Sequence, residues 1–371
     1  MRKILFVMYN ALDVGGIQNV MINIVRALHK EYIFDALVLS DKEGYFDEEF
    51  LSYGGKIFKN SFSKNRKSIL NRIQFYLRGN FIYKSVKKVI EENGPYSAIH
   101  CHNSDEAGLA LRAAKKCGVP IRISHAHTAF DSKYNLLAKL YIPFLRKLIY
   151  KNATDLIACS KKAGVNLFAD HKFDLIYNTV DEKFLHNEIT FNPDNTSPVL
   201  LQVGMICENK NQLFSLHVLR FLKEIYADAR LCFIGMPKDA EMARYCENVK
   251  YECENLGLSD NVTFLPADTD VKAEMQKSTY VIFPSLFEGL GIVPIEAQAL
   301  GVKCFLSSTV PDDVDCGGCV FLDLNSGAQA WSEQISKQFE IDHGKREECD
   351  ISRFLPDNII EEYRKLYSRP V

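Results

Sequence analysis

Short, nearly uninterrupted apolar runs recur along the chain, at 4–8, 34–39, 98–101, 121–124 and 156–159 in the first half. The second half carries them at 199–203, 231–234, 262–265, 280–283, 303–306 and 319–322. Runs this apolar and this short read as strands buried on both faces. Longer stretches between them, at 19–28, 107–117, 211–226 and 238–256, can hold amphipathic helices. Strand and helix in alternation predict parallel sheets wrapped by helices. The polar, proline-bearing stretch 186–198 separates the two series and is the expected interdomain linker. The expected fold class is therefore α/β, with two doubly wound, Rossmann-like domains at 1–185 and 199–354. They would face each other across a cleft that takes the ligand outside the carboxyl ends of both sheets.

Several strand-to-helix joints carry chemistry, most of all 283–301. The run at 280–283 empties into a loop containing Glu288, Gly289, Leu290, Gly291 and Ile292, and a helix is expected to begin near Pro294 and stop at Gly301. A glycine loop before a helix N-terminus is an anion site, where free backbone N–H groups meet the positive end of the helix dipole. Glu288 and Glu296 flank that site. Carboxylates do not bind phosphate, but they accept hydrogen bonds from sugar hydroxyls, so a diphosphate with a sugar on each side fits the whole set. A second joint places Gly15 and Gly16 after the first strand, again a phosphate-approach pattern, although it is not the GxGxxG of a dinucleotide dehydrogenase. A third follows 199–203, where Gly204 and Met205 precede Lys210 at a helix start.

The 283–301 segment resembles the signature of retaining family-4 glycosyltransferases of the GT-B fold. Ser285, Glu288, Gly289, Gly291, Glu296, Ala297 and Gly301 stand at the motif's positions. The resemblance implies that Glu288 contacts the transferred sugar and Glu296 the nucleotide ribose, with Gly15 and Gly16 near the donor diphosphate and the acceptor. Family members carry glycine–arginine and then lysine to neutralise the departing diphosphate; here Gly204 and Lys210 are in place, and Met205 stands where the arginine would be. Methionine brings no charge to a place where a guanidinium would grip phosphate with two hydrogen bonds. A histidine after a Gly-Val-Pro strand lines the family's catalytic cleft. Gly118-Val119-Pro120 precedes both His125 and His127; His127 fits the context better, and His125 remains an alternative by one residue of register. The resemblance also implies that the helix expected at 357–367, within a last segment 355–371, crosses back onto the first domain. The implied reaction moves a hexose or N-acetylhexosamine from a nucleoside-diphosphate sugar, UDP-linked, to a growing glycan, with no metal and no cofactor. The rivals are a nucleotide-sugar epimerase or hydrolase on the same scaffold, and a catalytically silent partner subunit.

Composition narrows the setting. A net charge of −2 and a pI near 6.5 argue against a general nucleic-acid binder. No stretch reaches the ~18 consecutive apolar residues of a membrane span, and the apolar part of the first residues is too short for a signal peptide. Eleven cysteines without a framework fit a reducing cytoplasm. Cys316 and Cys319 have CxxC spacing, but no second pair follows nearby in sequence, so no zinc site is expected there. His100, His102, His125 and His127 form two pairs that can each share a strand face; with no acidic or thiolate partners at clear spacing, no metal is expected there either. Ten Lys and Arg and no Asp or Glu occur over 56–90, interleaved with aromatics, and 134–150 adds Lys139, Arg146 and Lys147. Such stretches suit an anionic membrane surface. The expected protein is peripheral at the inner face of the cell membrane, with a lipid-linked saccharide as acceptor.

Overall fold

The computed structural model describes residues 1–13, 15–61, 71–128, 136–185, 196–236 and 240–370. The chain forms two compact units, one of residues 1–179 with 357–371, the other of residues 180–356. Most of the expected linker, 186–195, lies outside the described residues.

The first unit runs β1 (Arg2–Met8), α1 (Gly16–Leu28), β2 (Tyr32–Val38), α2 (Asp47–Ser52), β3 (Ile57–Lys59), α3 (Asn71–Asn93) and β4 (Ala98–Cys101). It continues through α4 (Ala107–Lys116), β5 (Ile121–Ala126), α5 (Leu136–Asn152), β6 (Asp155–Ala158), α6 (Lys161–Phe168) and β7 (Asp174–Leu175). Its strands form one sheet in the order β3-β2-β1-β4-β5-β6-β7, and all pairings are parallel. The switch between β1 and β4 is the doubly wound order, which opens a crevice at the carboxyl ends of those strands.

The second unit repeats the plan with β8 (Val199–Val203), α7 (Gln212–Lys223), β9 (Arg230–Met236), α8 (Ala240–Asn255) and β10 (Val262–Pro266). Then come α9 (Val271–Lys277), β11 (Tyr280–Phe283), α10 (Ile292–Ala299), β12 (Lys303–Ser307), β13 (Cys319–Leu322) and α11 (Gly327–Asp342). The order β10-β9-β8-β11-β12-β13 puts the switch between β8 and β11. All four residues of β11 are buried, as a central strand covered on both faces requires.

The last helix, α12 (Pro356–Ser368), returns to the first unit. It lays Ile359, Ile360, Tyr363, Leu366 and Tyr367 into a core shared with Phe6, Tyr32 and Phe34. The second unit has its own core around Trp331, Tyr280, Phe233 and Phe305. Every apolar run expected to be a strand is one. The two strands without such a run, β3 and β7, are short edge strands containing Lys59 and Asp174, where one side of the ladder is open and an apolar pattern is not needed.

Candidate active site

In the second unit three loops meet at the carboxyl ends of β8 and β11. Helix α10 begins at Ile292, two residues ahead of the expected start, because Gly291 caps it in the left-handed region with φ 89°. Pro294 is therefore the third helical residue. It has no N–H to lose, so the amides of Gly291, Ile292 and Val293 are those left without acceptors inside the helix. Leu290 is buried and anchors the turn. The loop after β8 is shaped by Gly204, φ 137°, and locks against Gly235, where a Cβ would stand 2.3 Å from the Gly204 carbonyl oxygen. A short turn, Glu208–Lys210, is strapped to the 284–288 loop by Asn209. Its side-chain amide donates to the Phe287 carbonyl at 3.1 Å, its side-chain oxygen accepts from the Phe287 N–H at 3.2 Å, and its carbonyl accepts from Leu286 N–H at 2.8 Å.

That strap brings together two residues expected to act on different parts of the donor. Lys210 Nζ lies 2.5 Å from Glu288 Oε1 and 4.5 Å from the centre of the Phe283 ring. Gln202 donates to the Lys210 carbonyl at 2.6 Å and is itself held by the Ser215 hydroxyl at 2.7 Å, so the backbone carrying the cation is fixed from below. Met205 is 46% exposed at the same loop. Glu296 follows on α10, and burial pushes its carboxyl up to about 7, with Lys183 opposing the rise.

In the first unit the loop after β1 reaches α1 through Gly15 and Gly16. Gly15 has extended backbone, φ −179°, and a Cβ on Gly16 would meet nothing within 4 Å. A Cβ on Gly15 would stand 2.6 Å from Oε1 of the buried Gln18, whose side chain donates to the Ala11 carbonyl at 3.2 Å, while nothing local requires a glycine at 16. The four histidines of the two pairs gather at the carboxyl ends of β4 and β5, whose register sets His100 against Ile123 and Cys101 against Ser124. His100, His102 and His125 are buried, and His127, just past the end of β5, is half-buried. Nδ1 of His102 and Nε2 of His127 are 2.7 Å apart; Nε2 of His100 and Nδ1 of His125 are 3.1 Å apart. Burial holds all four imidazoles neutral: His127 is pushed down to about 3, and the other three lie well below their ordinary value.

Residues 14–184 match the family described as Glycosyltransferase Family 4, and residues 186–312 match that described as Glycosyl transferases group 1. The putative glycosyltransferase EpsF of Bacillus subtilis (strain 168) is 30% identical over 364 residues, 93% of this chain and 90% of that one. This chain is a family-4 glycosyltransferase. A second relative of this glycosyltransferase is the UDP-Gal:alpha-D-GlcNAc-diphosphoundecaprenol alpha-1,3-galactosyltransferase of Escherichia coli, 25% identical over 79% of this chain and 76% of that one. A crystal structure of HepE from Anabaena, in complex with UDP and glucose, aligns with TM-score 0.76 over the whole of both chains at 17% identity. At that identity the likeness concerns the fold alone, which is GT-B.

In this glycosyltransferase Gly204, Lys210, Glu288, Gly289, Leu290, Gly291, Ile292 and Glu296 fall on the loops and helix start that surround the end of β11. Gly15, Gly16 and His127 fall at the carboxyl ends of the first sheet. Asn209 and Phe283 also belong to the second-unit site, and no motif position pointed to their roles. Folding also changes the surroundings of the CxxC pair. Cys304 is the register partner of Cys319, and Cys349 Sγ lies 3.0 Å from where a Cβ on Gly318 would stand. Among the described residues no cysteine is in a disulfide.

Proposed function

We propose that this glycosyltransferase moves a hexose or N-acetylhexosamine from a UDP-sugar to a growing lipid-linked glycan in surface polysaccharide biosynthesis, with retention of anomeric configuration and without a metal at the donor. The observation that carries the reading is the Lys210–Glu288 pair beside the bare amides of Gly291, Ile292 and Val293: a cation and oriented N–H groups for a diphosphate, and a carboxylate for the sugar attached to it. The Escherichia coli relative, a UDP-Gal:alpha-D-GlcNAc-diphosphoundecaprenol galactosyltransferase, supports both choices.

In this reading the acceptor oxygen bonds to the anomeric carbon as the bond from that carbon to the diphosphate oxygen breaks, and the electron pair leaves with the diphosphate. Lys210 and the α10 amides stabilise that charge as it develops. The hydroxyl proton passes to a donor phosphate oxygen on the same face, which gives retention. Glu288 and His127 orient the sugar, and Glu296 holds the ribose hydroxyls.

A lipid-linked acceptor brings the protein to a membrane surface. Among the described residues no helix is long and apolar enough to cross one. On α5, Phe144 is 47% exposed and Lys147 is exposed, which suits a peripheral contact with anionic lipid. Much of the basic run is occupied within the protein: Lys59 with Asp47, Arg78 with Glu106, Lys87 with Glu91, Lys88 with Glu92 and Arg146 with Asp105. Part of the run, 62–70, lies outside the described residues.

The test is a thermal-shift panel of nucleoside diphosphates and their sugars in chelator, followed by transfer to a polyprenyl-diphosphate saccharide. Stabilisation by UDP and one UDP-sugar, lost in Glu296→Ala, is expected. A folded protein that no nucleotide stabilises would overturn the reading; donor binding without turnover would make the chain a silent partner.

A further inference from the structure

The histidine group supports an inference that goes beyond sugar transfer. One ring nitrogen from each of His100, His102 and His125 lies within 4.8 Å of the other two, and all three residues are buried. Two of the rings come from alternate positions at the end of one strand and the third from the neighbouring strand, so adjacent parallel strands present them on one face. Three neutral imidazoles with an open fourth position are the donor set of several zinc sites.

Two further observations point the same way. Nε2 of His102 is buried with no hydrogen-bond partner. The Tyr363 hydroxyl, whose ring lies 6.0 Å from that of His100 and 6.3 Å from that of His125, is also buried and unpartnered. Buried polar atoms are nearly always satisfied, so such a concentration marks something that completes them. The outer partners are also those of ligating histidines. His100 Nδ1 is 2.7 Å from the Tyr367 hydroxyl, and His102 Nδ1 is 2.7 Å from His127. These contacts give each Nδ1 an acceptor for its proton, and in that tautomer the Nε2 lone pairs of His100 and His102 face an ion.

We propose that His100, His102 and His125 bind one divalent transition-metal ion, with zinc the best match to an all-imidazole set. The separation of 3.1 Å between His100 Nε2 and His125 Nδ1 is close to the ~3.3 Å that tetrahedral zinc imposes on two nitrogens at bond lengths of about 2.0–2.1 Å. A ring nitrogen of His102, within 4.8 Å of the other two ligand atoms, is the third. The ion would tie the ends of β4 and β5 to α12 through Tyr367 and would hold His127 in one orientation through His102. This is a positioning role, separate from the chemistry at the donor.

The test uses untagged full-length protein, stripped with chelator and titrated with cobalt(II), whose visible spectrum reports tetrahedral nitrogen coordination. One equivalent per chain is expected, displaced by zinc, and the zinc-loaded protein should melt at a higher temperature. His102→Asn should abolish the cobalt spectrum. Tyr367→Phe, which removes only the hydroxyl facing His100, should weaken cobalt binding roughly 10–100-fold, and it serves if His102→Asn does not fold. Wild-type protein that binds no cobalt, a spectrum with thiolate charge transfer (an ion on the cysteines instead), or a spectrum unchanged in both variants would each overturn the site. These readouts need no sugar transfer, so the metal site and the transferase reading can fail independently.

Discussion

Lys210 Nζ stands 2.5 Å from the carboxylate of Glu288, 78 residues further along the chain. The cation that would meet the diphosphate is paired with the carboxylate that would meet the sugar. Their side chains are 20% and 13% exposed, so the pair is partly shielded from water and is stronger than a surface ion pair. On the proposed function, a diphosphate entering the site would compete for the lysine and release Glu288 for the sugar hydroxyls. Lys210→Ala is expected to lower kcat by roughly 100-fold, the scale of removing one preorganised donor to a developing anion. Steady-state release of UDP measures it, and a change of less than about threefold would remove Lys210 from the reaction.

Glu296 gives a pH signature in both stability and binding. Its carboxyl is raised from the ordinary 4.5 to about 7 by burial. Because the folded value lies above the unfolded one, the group favours the folded state below about pH 4.5, and that contribution is lost as the pH rises through about 7. Glu296→Gln, neutral throughout, should flatten this loss in denaturation curves measured across that window. Donor binding should run the other way, since ribose hydroxyls donate better to a carboxylate: affinity for UDP is expected to rise through about pH 7 in the wild type and to stay level in Glu296→Gln. Identical binding profiles would detach Glu296 from the ribose.

Met205 offers a gain-of-function test. Its carbonyl accepts from the Gln212 side chain at 3.2 Å, so the backbone is held while the side chain lies exposed. Met205→Arg would place a guanidinium beside the Gly204 loop. A charge-assisted contact of about 1.5–3 kcal/mol corresponds to roughly one to two powers of ten in kcat/KM. Unchanged kinetics would mean that the diphosphate does not approach this loop.

Gly235 should tolerate no side chain. Its φ of 126° disfavours any L residue, and the atom a Cβ would meet at 2.3 Å is backbone, which no rotamer change can move. Gly235→Ala is expected to cost about 3 kcal/mol from strain and overpacking together, read as a lower midpoint in urea, with weaker UDP binding because the Gly204 loop must shift. A midpoint within error of wild type would refute this.

The sheet interiors were legible in the sequence because parallel strands covered on both faces must be apolar throughout; 98–101, 199–203 and 280–283 were readable to the residue. The edges β3 and β7 were not, since an open ladder relaxes that demand. Within the site, glycines and acids were readable from spacing along one loop. The Lys210–Glu288 contact and the Asn209 strap were not, because they join loops separated by three strands and three helices. The histidine pairs could be seen, but their convergence depends on the register between β4 and β5, which neither pair encodes. Cys304 and Cys349 reach the Cys316–Cys319 turn in the same way, through β12 against β13 and the chain beyond α11.

The return of α12 to the first unit also bears on biosynthesis. A chain made from its amino end completes β1 to β7 and then the whole of residues 180–356 before the ribosome reaches α12. At roughly 5–20 residues per second that interval lasts on the order of ten to thirty seconds. Throughout it Tyr32, Phe34 and His100 lack the tyrosines of α12 that later cover them. The nascent first unit therefore waits with an aromatic and imidazole surface open, a natural target for a holdase, while the second unit can fold to completion as it emerges.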